Sequence, residues 1–244
     1  MSTIYVLVNS ADPSVLNDSS PGDFVVQLGR THSFTKDSEV FLSEAVIPFT
    51  WYNITHENNK LIVMSATGSV ATIELALAYY ESIPILVKGI NTALKAASLS
   101  SVKISTDKQT MLVTIDSGAS TVHGPLLYMM GWPKNTSIKG KITAPKMADI
   151  TGGYSSLYIL IDCIEHTSAG SFNIPLLKKL EVGQGDRPGN LIHYRAHNPV
   201  EVHRLNQSNL MHIGVTIKDS LNRVINFNGF NINLTLGIRP ITLR

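Results

Sequence analysis

Two stretches near the C-terminus constrain the fold most. In Met211–Lys218 the residues Ile213, Val215 and Ile217 alternate with polar ones, and in Asn231–Ile238 so do Ile232, Leu234, Leu236 and Ile238. A period of two sends successive side chains to opposite faces, so each stretch reads as a strand with one apolar face. Between them Asp219–Arg223 turns the chain, Val224–Phe227 returns, and Asn228-Gly229 supplies residues that tolerate positive φ in a hairpin turn. The same pattern recurs upstream. Strands are expected at Ile4–Val8, Asp23–Leu28, Val40–Ile47, Ser156–Ile164, Leu176–Val182, Leu191–Arg195 and Val200–Leu205. Val40–Ile47 stops at Pro48, which cannot donate to a central ladder. Lys60–Met64 and Val70–Leu77 form a hairpin around Ala66-Thr67-Gly68, and Ser101–Ser105 and Met111–Asp116 form another around Asp107-Lys108-Gln109. Ala11–Gly22, the segment from Gly29 through Ser33, Lys134–Gly153, Ser168–Asn173 and Gly183–Gly189 read as loops. Closely spaced strands without alternating helices mean an antiparallel sandwich or barrel. With no repeat, low-complexity tract or linker, residues 1–244 are expected to form a single domain.

One segment changes period. From Ser82 onward, Ile83, Leu86, Val87, Ile90, Leu94 and Ala97 fall on one face of a 3.6-residue helix. Ser82 suits the N-cap and Pro84 the first turn, so an amphipathic helix is expected over about 83–97. A shorter helical turn is expected at about 125–130, with Pro125 at its start, Leu126, Leu127 and Met130 inward and Gly131 in the left-handed position after its end.

Composition narrows the function. The chain has 244 residues, 43% of them apolar and only 16% charged, with a net charge of +2. Disorder needs the opposite balance, and a soluble domain averages about 25% charged residues. Ser, Thr and Asn make up the difference with 60 residues. A polar but weakly charged surface suits contact with other proteins, whose interface cores are depleted in charge. The basic pair Lys178–Lys179 and the residues Arg239 and Arg244 are too few for a nucleic-acid groove. A lone cysteine, Cys163, excludes an intrachain disulfide and a Cys-based metal site. The N-terminus MSTIYVLVNS lacks the basic and long apolar regions of a secretory signal, and no apolar run approaches a membrane span. The sequons at Asn17, Asn53, Asn135, Asn206 and Asn233 are therefore expected to be chance occurrences in an Asn/Ser/Thr-rich chain.

Catalytic signatures are missing or weak. There is no GxGxxG, Walker A, GxSxG or HExxH motif. His193, His197 and Glu201 recur every four residues, with His203 and His212 further on. On a strand, positions four apart share a face but lie about 13 Å apart, too far for one ion. Scattered surface histidines are expected, with a metal-dependent jelly roll of the cupin kind, or a carbohydrate-binding module using Trp51 and Trp132, as the alternative. Asp162 reads as a solvent-face residue and Cys163 as a small buried hydrophobe. Glu165 and His166 make only a generic acid/base pair. Trp51, Tyr52 and Trp132 adjoin apolar runs and read as core or rim.

The order of these segments resembles a known family. The opening Ile4-Tyr5-Val6-Leu7-Val8-Asn9-Ser10 is followed by a polar loop and Gly22-Asp23-Phe24-Val25-Val26. Val40–Ile47 leads into Pro48-Phe49-Thr50-Trp51-Tyr52-Asn53-Ile54. The helix over Ile83–Ala97 and a hairpin precede Leu126-Leu127-Tyr128-Met129-Met130-Gly131-Trp132, and the chain closes with Val215–Asp219 and Ile225–Gly229. In this order the chain resembles the single-jelly-roll penton (minor capsid) proteins of double-stranded DNA viruses, of the polinton-like, adintovirus and virophage type. It departs from them in having no Gly in Ala76–Glu81 and in the closing turn Asp219-Ser220-Leu221-Asn222. The resemblance implies a single elaborated jelly-roll domain over 1–244. It implies a non-enzymatic capsid protein of the virion, without cofactor, metal or specific nucleic acid. Such proteins form homopentamers at icosahedral vertices beside major-capsid capsomers, and a ring of five closes through one heterologous interface.

Overall fold

The computed structural model describes residues 3–12, 14–15, 20–34, 37–152, 154–169, 172–183, 186–197 and 200–241. Asn17, Pro199 and Arg244 lie outside them. In chain order the elements are β1 (Ile4–Asn9), β2 (Asp23–Ser33), β3 (Ser38–Pro48), β4 (Lys60–Met64), β5 (Val70–Glu74), α1 (Ile83–Ala96), β6 (Lys103–Thr106), β7 (Val113–His123), α2 (Leu126–Met129), β8 (Ser137–Thr143), β9 (Ser156–Ile161), β10 (Thr167–Ala169), β11 (Phe172–Ile174), β12 (Leu176–Glu181), β13 (Leu191–Arg195), β14 (His203–Arg204), β15 (Asn209–Lys218) and β16 (Asn233–Pro240). They fall into two compact units, one of Met1–Trp51 with Gly153–Arg244 and one of Tyr52–Gly152.

The first unit is a jelly-roll β-sandwich. One sheet has the order β1-β16-β3-β13, with β14 also on β3, and the other the order β12-β9-β15-β2. If the eight principal strands are counted along the chain, these orders become 1-8-3-6 and 5-4-7-2, the double Greek key of a jelly roll. Every ladder in the two sheets is antiparallel. The alternation read from the sequence determines which side faces in. Leu234, Leu236 and Ile238 on β16, and Ile213, Val215 and Ile217 on β15, are all buried. Asn228 and Gly229 both take positive φ (52° and 81°) in a tight turn closed by the Phe230 N–H on the Phe227 carbonyl, but the expected hairpin does not form: Val224–Phe227 keeps only a bridge from Val224 to Lys218, and β15 and β16 pair with different strands in different sheets.

The second unit is a five-stranded antiparallel sheet of order β5-β4-β7-β6, with β8 on the other side of β7, covered by α1. Ile83, Leu86, Val87, Ile90 and Leu94 of α1 are buried with sheet residues such as Leu61, Val63, Ile115 and Val122, while Ala97 is exposed. Ser82 occupies the N-cap position, but its side chain bonds no helix N–H. At the other end Ser98, at φ 60°, closes a Schellman-type turn in which the Leu99 N–H bonds the Leu94 carbonyl. After α2, Gly131 (φ +98°) does the same, with the Trp132 N–H on the Leu127 carbonyl. A Cβ on Gly131 would lie 2.1 Å from the Lys146 carbonyl oxygen.

Four further readings need correction. The expected loop Lys134–Gly153 contains β8; only its Ile138 is buried, and Gly140 at φ +79° breaks its alternation beside the register shift with β7. The expected loop Ser168–Asn173 carries the short pair β10–β11. β2 runs on through Ser33 because Ser33 and His32 pair with Asn209 and Leu210 beyond a bulge in that ladder. Val200–Leu205 shrinks to the two residues of β14, with Val202 exposed. In the first three cases pairing with a partner strand outweighed the local pattern, and in the fourth the alternating pattern pairs with β3 at only two residues; both are the usual weakness of strand propensity.

Candidate interaction surfaces

Residues directly opposite in an antiparallel ladder share a face, so the registers map the outer side of the first sheet. One row reads Asn9, Asn233, Val46, His193; the next Leu7, Thr235, Glu44, Arg195; the third Tyr5, Gly237, Phe41. The third row is built around a missing side chain. A Cβ on Gly237 would come within 2.3 Å of the Phe41 ring, so glycine lets that ring lie across the sheet. The Arg239 guanidinium sits 5.3 Å over the ring and its Nε donates to Glu39 at 2.6 Å. Tyr5 and Leu7, at the edge, are 62% and 64% exposed. Phe41 is thus only 6% exposed beneath a paired Arg239, and the open apolar surface of this face is Tyr5 and Leu7 at its edge.

The histidines do not converge. His193 stands opposite Val46 and His203 opposite Val40, six positions along the same strand, or about 20 Å. His197 lies beyond the end of β13, and His212 is on the other sheet, opposite Gln27. Among the described residues no three His, Cys, Asp or Glu could share a metal ion. Glu201 instead takes the Lys178 ammonium at 2.7 Å, with the buried His203 Nε2 3.8 Å from its other oxygen. That bond to Glu201 raises the Lys178 pKa, and the ammonium also lies 5.5 Å over the Tyr194 ring.

The remaining candidates have structural roles. Asp162 is exposed at the end of β9, where one oxygen accepts the Gly214 N–H; partial desolvation nevertheless raises its pKa. Cys163 is fully buried, and burial pushes its thiol up to about 12, so it is not a nucleophile. Glu165 and His166 are exposed. Trp51 is buried, stacked 4.2 Å from Phe49 and edge-on to Phe227, and Trp132 is buried in the core of the second unit; neither offers a ligand platform.

Two buried polar residues carry more structure than the sequence signals. The Asp219 carboxylate accepts the N–H groups of Leu221 and Arg223 and pairs with the Arg223 guanidinium at 2.6 Å, closing the turn after β15. Asn53, 1% exposed, accepts the Tyr80 N–H and donates to the carbonyls of Tyr80 and Ile150. It clamps three segments of the second unit, so its sequon is not open to a sugar.

No family model matches the chain, and no curated protein matches it. Its fold is matched by solved structures along nearly its whole length. The chain shares its fold with a virophage penton. The crystal structure of the mavirus penton protein superposes with a TM-score of 0.52 at 12% identity, over 99% of this chain and 100% of that one. A chain in the cryo-EM structure of the Sputnik virophage gives 0.50 at 12% identity, over 98% of each. The resemblance read from segment order thus holds at the level of fold.

Proposed function

We propose that this chain is a structural protein of an icosahedral virus capsid, a penton that forms homopentamers at the fivefold vertices and contacts neighbouring major-capsid capsomers. The observation that carries this reading is the end-to-end fold match with the mavirus penton protein. Because it covers both chains almost completely, it includes the unit inserted between β3 and β9 as well as the jelly roll. On this reading residues 1–244 act as one elaborated jelly-roll domain, located in the virion, with no catalytic role. The weakly charged, Asn/Ser/Thr-rich composition fits a subunit whose flanks are covered by protein. The dispersed histidines leave a cupin-like metal enzyme without a site among the described residues.

The test is the composition of the particle. Quantitative mass spectrometry of purified virions is expected to find the chain at five copies per vertex, and negative-stain images of the vertex component to show fivefold rings. Its absence from particles that are otherwise complete refutes the proposal.

A further inference from the structure

The two sheets of the sandwich have four edges, and among the described residues three of them are protected. An exposed edge strand is a template for pairing, and proteins blunt it with charge, bulges or a covering segment. The β13 edge carries His193 and Arg195, both exposed. The β12 edge carries Lys178, Lys179 and Glu181 and is broken by a register shift between Leu176 and Lys178. Along β2 the chain folds back, with Val15 bridged to Val26 and the Gln27 N–H on the Ser14 carbonyl.

The fourth edge, β1, has none of these devices. Among the described residues it pairs only with β16, through six consecutive positions without a shift. Its sequence Ile4-Tyr5-Val6-Leu7-Val8-Asn9 contains no charge and no proline. Two of its outward side chains, Tyr5 and Leu7, are more than 60% exposed. Such a strand combines high β-propensity with an open row of backbone groups.

We infer that β1 is an assembly edge, and that its occupant is β1 of a second copy, paired antiparallel across a twofold axis at Val6. The sequence is self-complementary about that residue. Twofold pairing sets Val6 against Val6 of the second copy, Ile4 against Val8 and Tyr5 against Leu7. From Ile4 to Val8 every opposed pair is apolar, on both faces, and Asn9 meets Thr3 beyond them. On the outer face two Tyr–Leu pairs form, and aromatic–aliphatic cross-strand pairs of this kind stabilise a ladder. No like charges meet, because the strand has none. The β13 and β12 edges would bring their cations into any strand pairing, and the β2 edge is occupied by the segment folded back along it, which selects against all three. A twofold contact is isologous and cannot close a ring of five. This inference is therefore independent of the pentamer reading, and in a pentamer the β1 edges would join rings pairwise.

The experiment uses the full chain. Light scattering after size exclusion at tens of micromolar is expected to give an even multiple of the 26.6 kDa chain mass. Leu7→Lys, which introduces the charge that natural edges use, is expected to halve that mass and to weaken association on the order of tenfold or more. Leu7 is exposed, so the variant should keep the wild-type circular dichroism and melting temperature. A second measurement fixes the register. Tyr5→Cys mixed with Leu7→Cys should form an oxidised cross-linked dimer much faster than Tyr5→Cys alone, since only the 5–7 pair is directly opposed. A strict monomer, a mass unchanged by Leu7→Lys, or equal cross-linking in the two mixtures overturns the inference. A pentamer unchanged by Leu7→Lys overturns it while supporting the penton reading.

Discussion

Asn53→Ala is the sharpest test of how the second unit holds together. The side chain satisfies the Tyr80 N–H, the Tyr80 carbonyl and the Ile150 carbonyl, at 2.8, 2.9 and 2.8 Å. Truncation strands all three. Each stranded buried group costs about 1–3 kcal/mol, and Tyr80 and Ile150 are half-buried, so the low end applies to each and the sum is about 3 kcal/mol. That is a large part of the roughly 5–15 kcal/mol that stabilises a whole domain. The assay is urea unfolding followed by tryptophan fluorescence. The two units hold one tryptophan each, so a Trp51→Phe background leaves Trp132 as the reporter of the second unit. The midpoint should fall at unchanged m. Asn53→Asp separates the donor from the acceptor role. It keeps the acceptor for the Tyr80 N–H but turns a carboxylate toward two carbonyls, which raises the folded-state pKa of the new group above its unfolded value of about 3.9. The folded state then binds more protons than the unfolded one, so stability falls as pH rises through that window. The deficit of Asn53→Asp against wild type should therefore be larger at about pH 7 than at about pH 4. A loss below about 1 kcal/mol for Asn53→Ala, or a pH-independent deficit for Asn53→Asp, refutes the clamp.

Other expectations follow from single contacts. Gly237→Ala drives a methyl into the Phe41 ring and should cost about 1–3 kcal/mol in urea unfolding, with Phe41→Leu restoring part of the loss; a neutral Gly237→Ala refutes that close approach. Gly131→Ala should destabilise more than Gly68→Ala, since both have positive φ but only Gly131 faces a carbonyl oxygen at 2.1 Å. Cys163 should stay unreactive toward a thiol reagent in the native protein at mildly alkaline pH and titrate as one thiol in denaturant, because burial pushes its pKa up to about 12. His193→Ala with His197→Ala should change neither metal content by elemental analysis nor stability by more than about 0.5 kcal/mol, as both are exposed and apart.

What the sequence made legible divides along physical lines. Strict alternation located β15 and β16 and their buried faces, because period two reports which side faces a core. The helical period located α1 for the same reason, and five of its six expected apolar positions are buried. β8 stayed hidden because it sits on the flank of β7 with one buried residue, so pairing rather than burial creates it. The boundary after Trp51 was equally silent: aromatic and apolar residues cross it without a linker. Asn53 and Asp219 could not be ranked above many other Asn and Asp residues, since their importance lies in partners 27 and 97 positions away for one and in a four-residue turn for the other.

The surfaces pose a different problem. Alternation tells which face of a strand turns inward, but it does not say which outer face a partner covers. β1 is the informative exception. A run that is apolar at every position from Ile4 to Val8 reads as a strand buried on both faces. Here the inward pair Val6 and Val8 is buried, while Tyr5 and Leu7 stand more than 60% exposed. The mismatch is not the ordinary scatter of apolar residues over a surface, because it coincides with the one edge of the two sandwich sheets that, among the described residues, carries no charge, bulge or covering segment. A sequence that specifies burial and a fold that withholds it are reconciled if the burial occurs on assembly. For a chain in which only 16% of residues are charged, that places the information about assembly in the first strand of the sandwich, where substitution of a single exposed leucine is enough to test it.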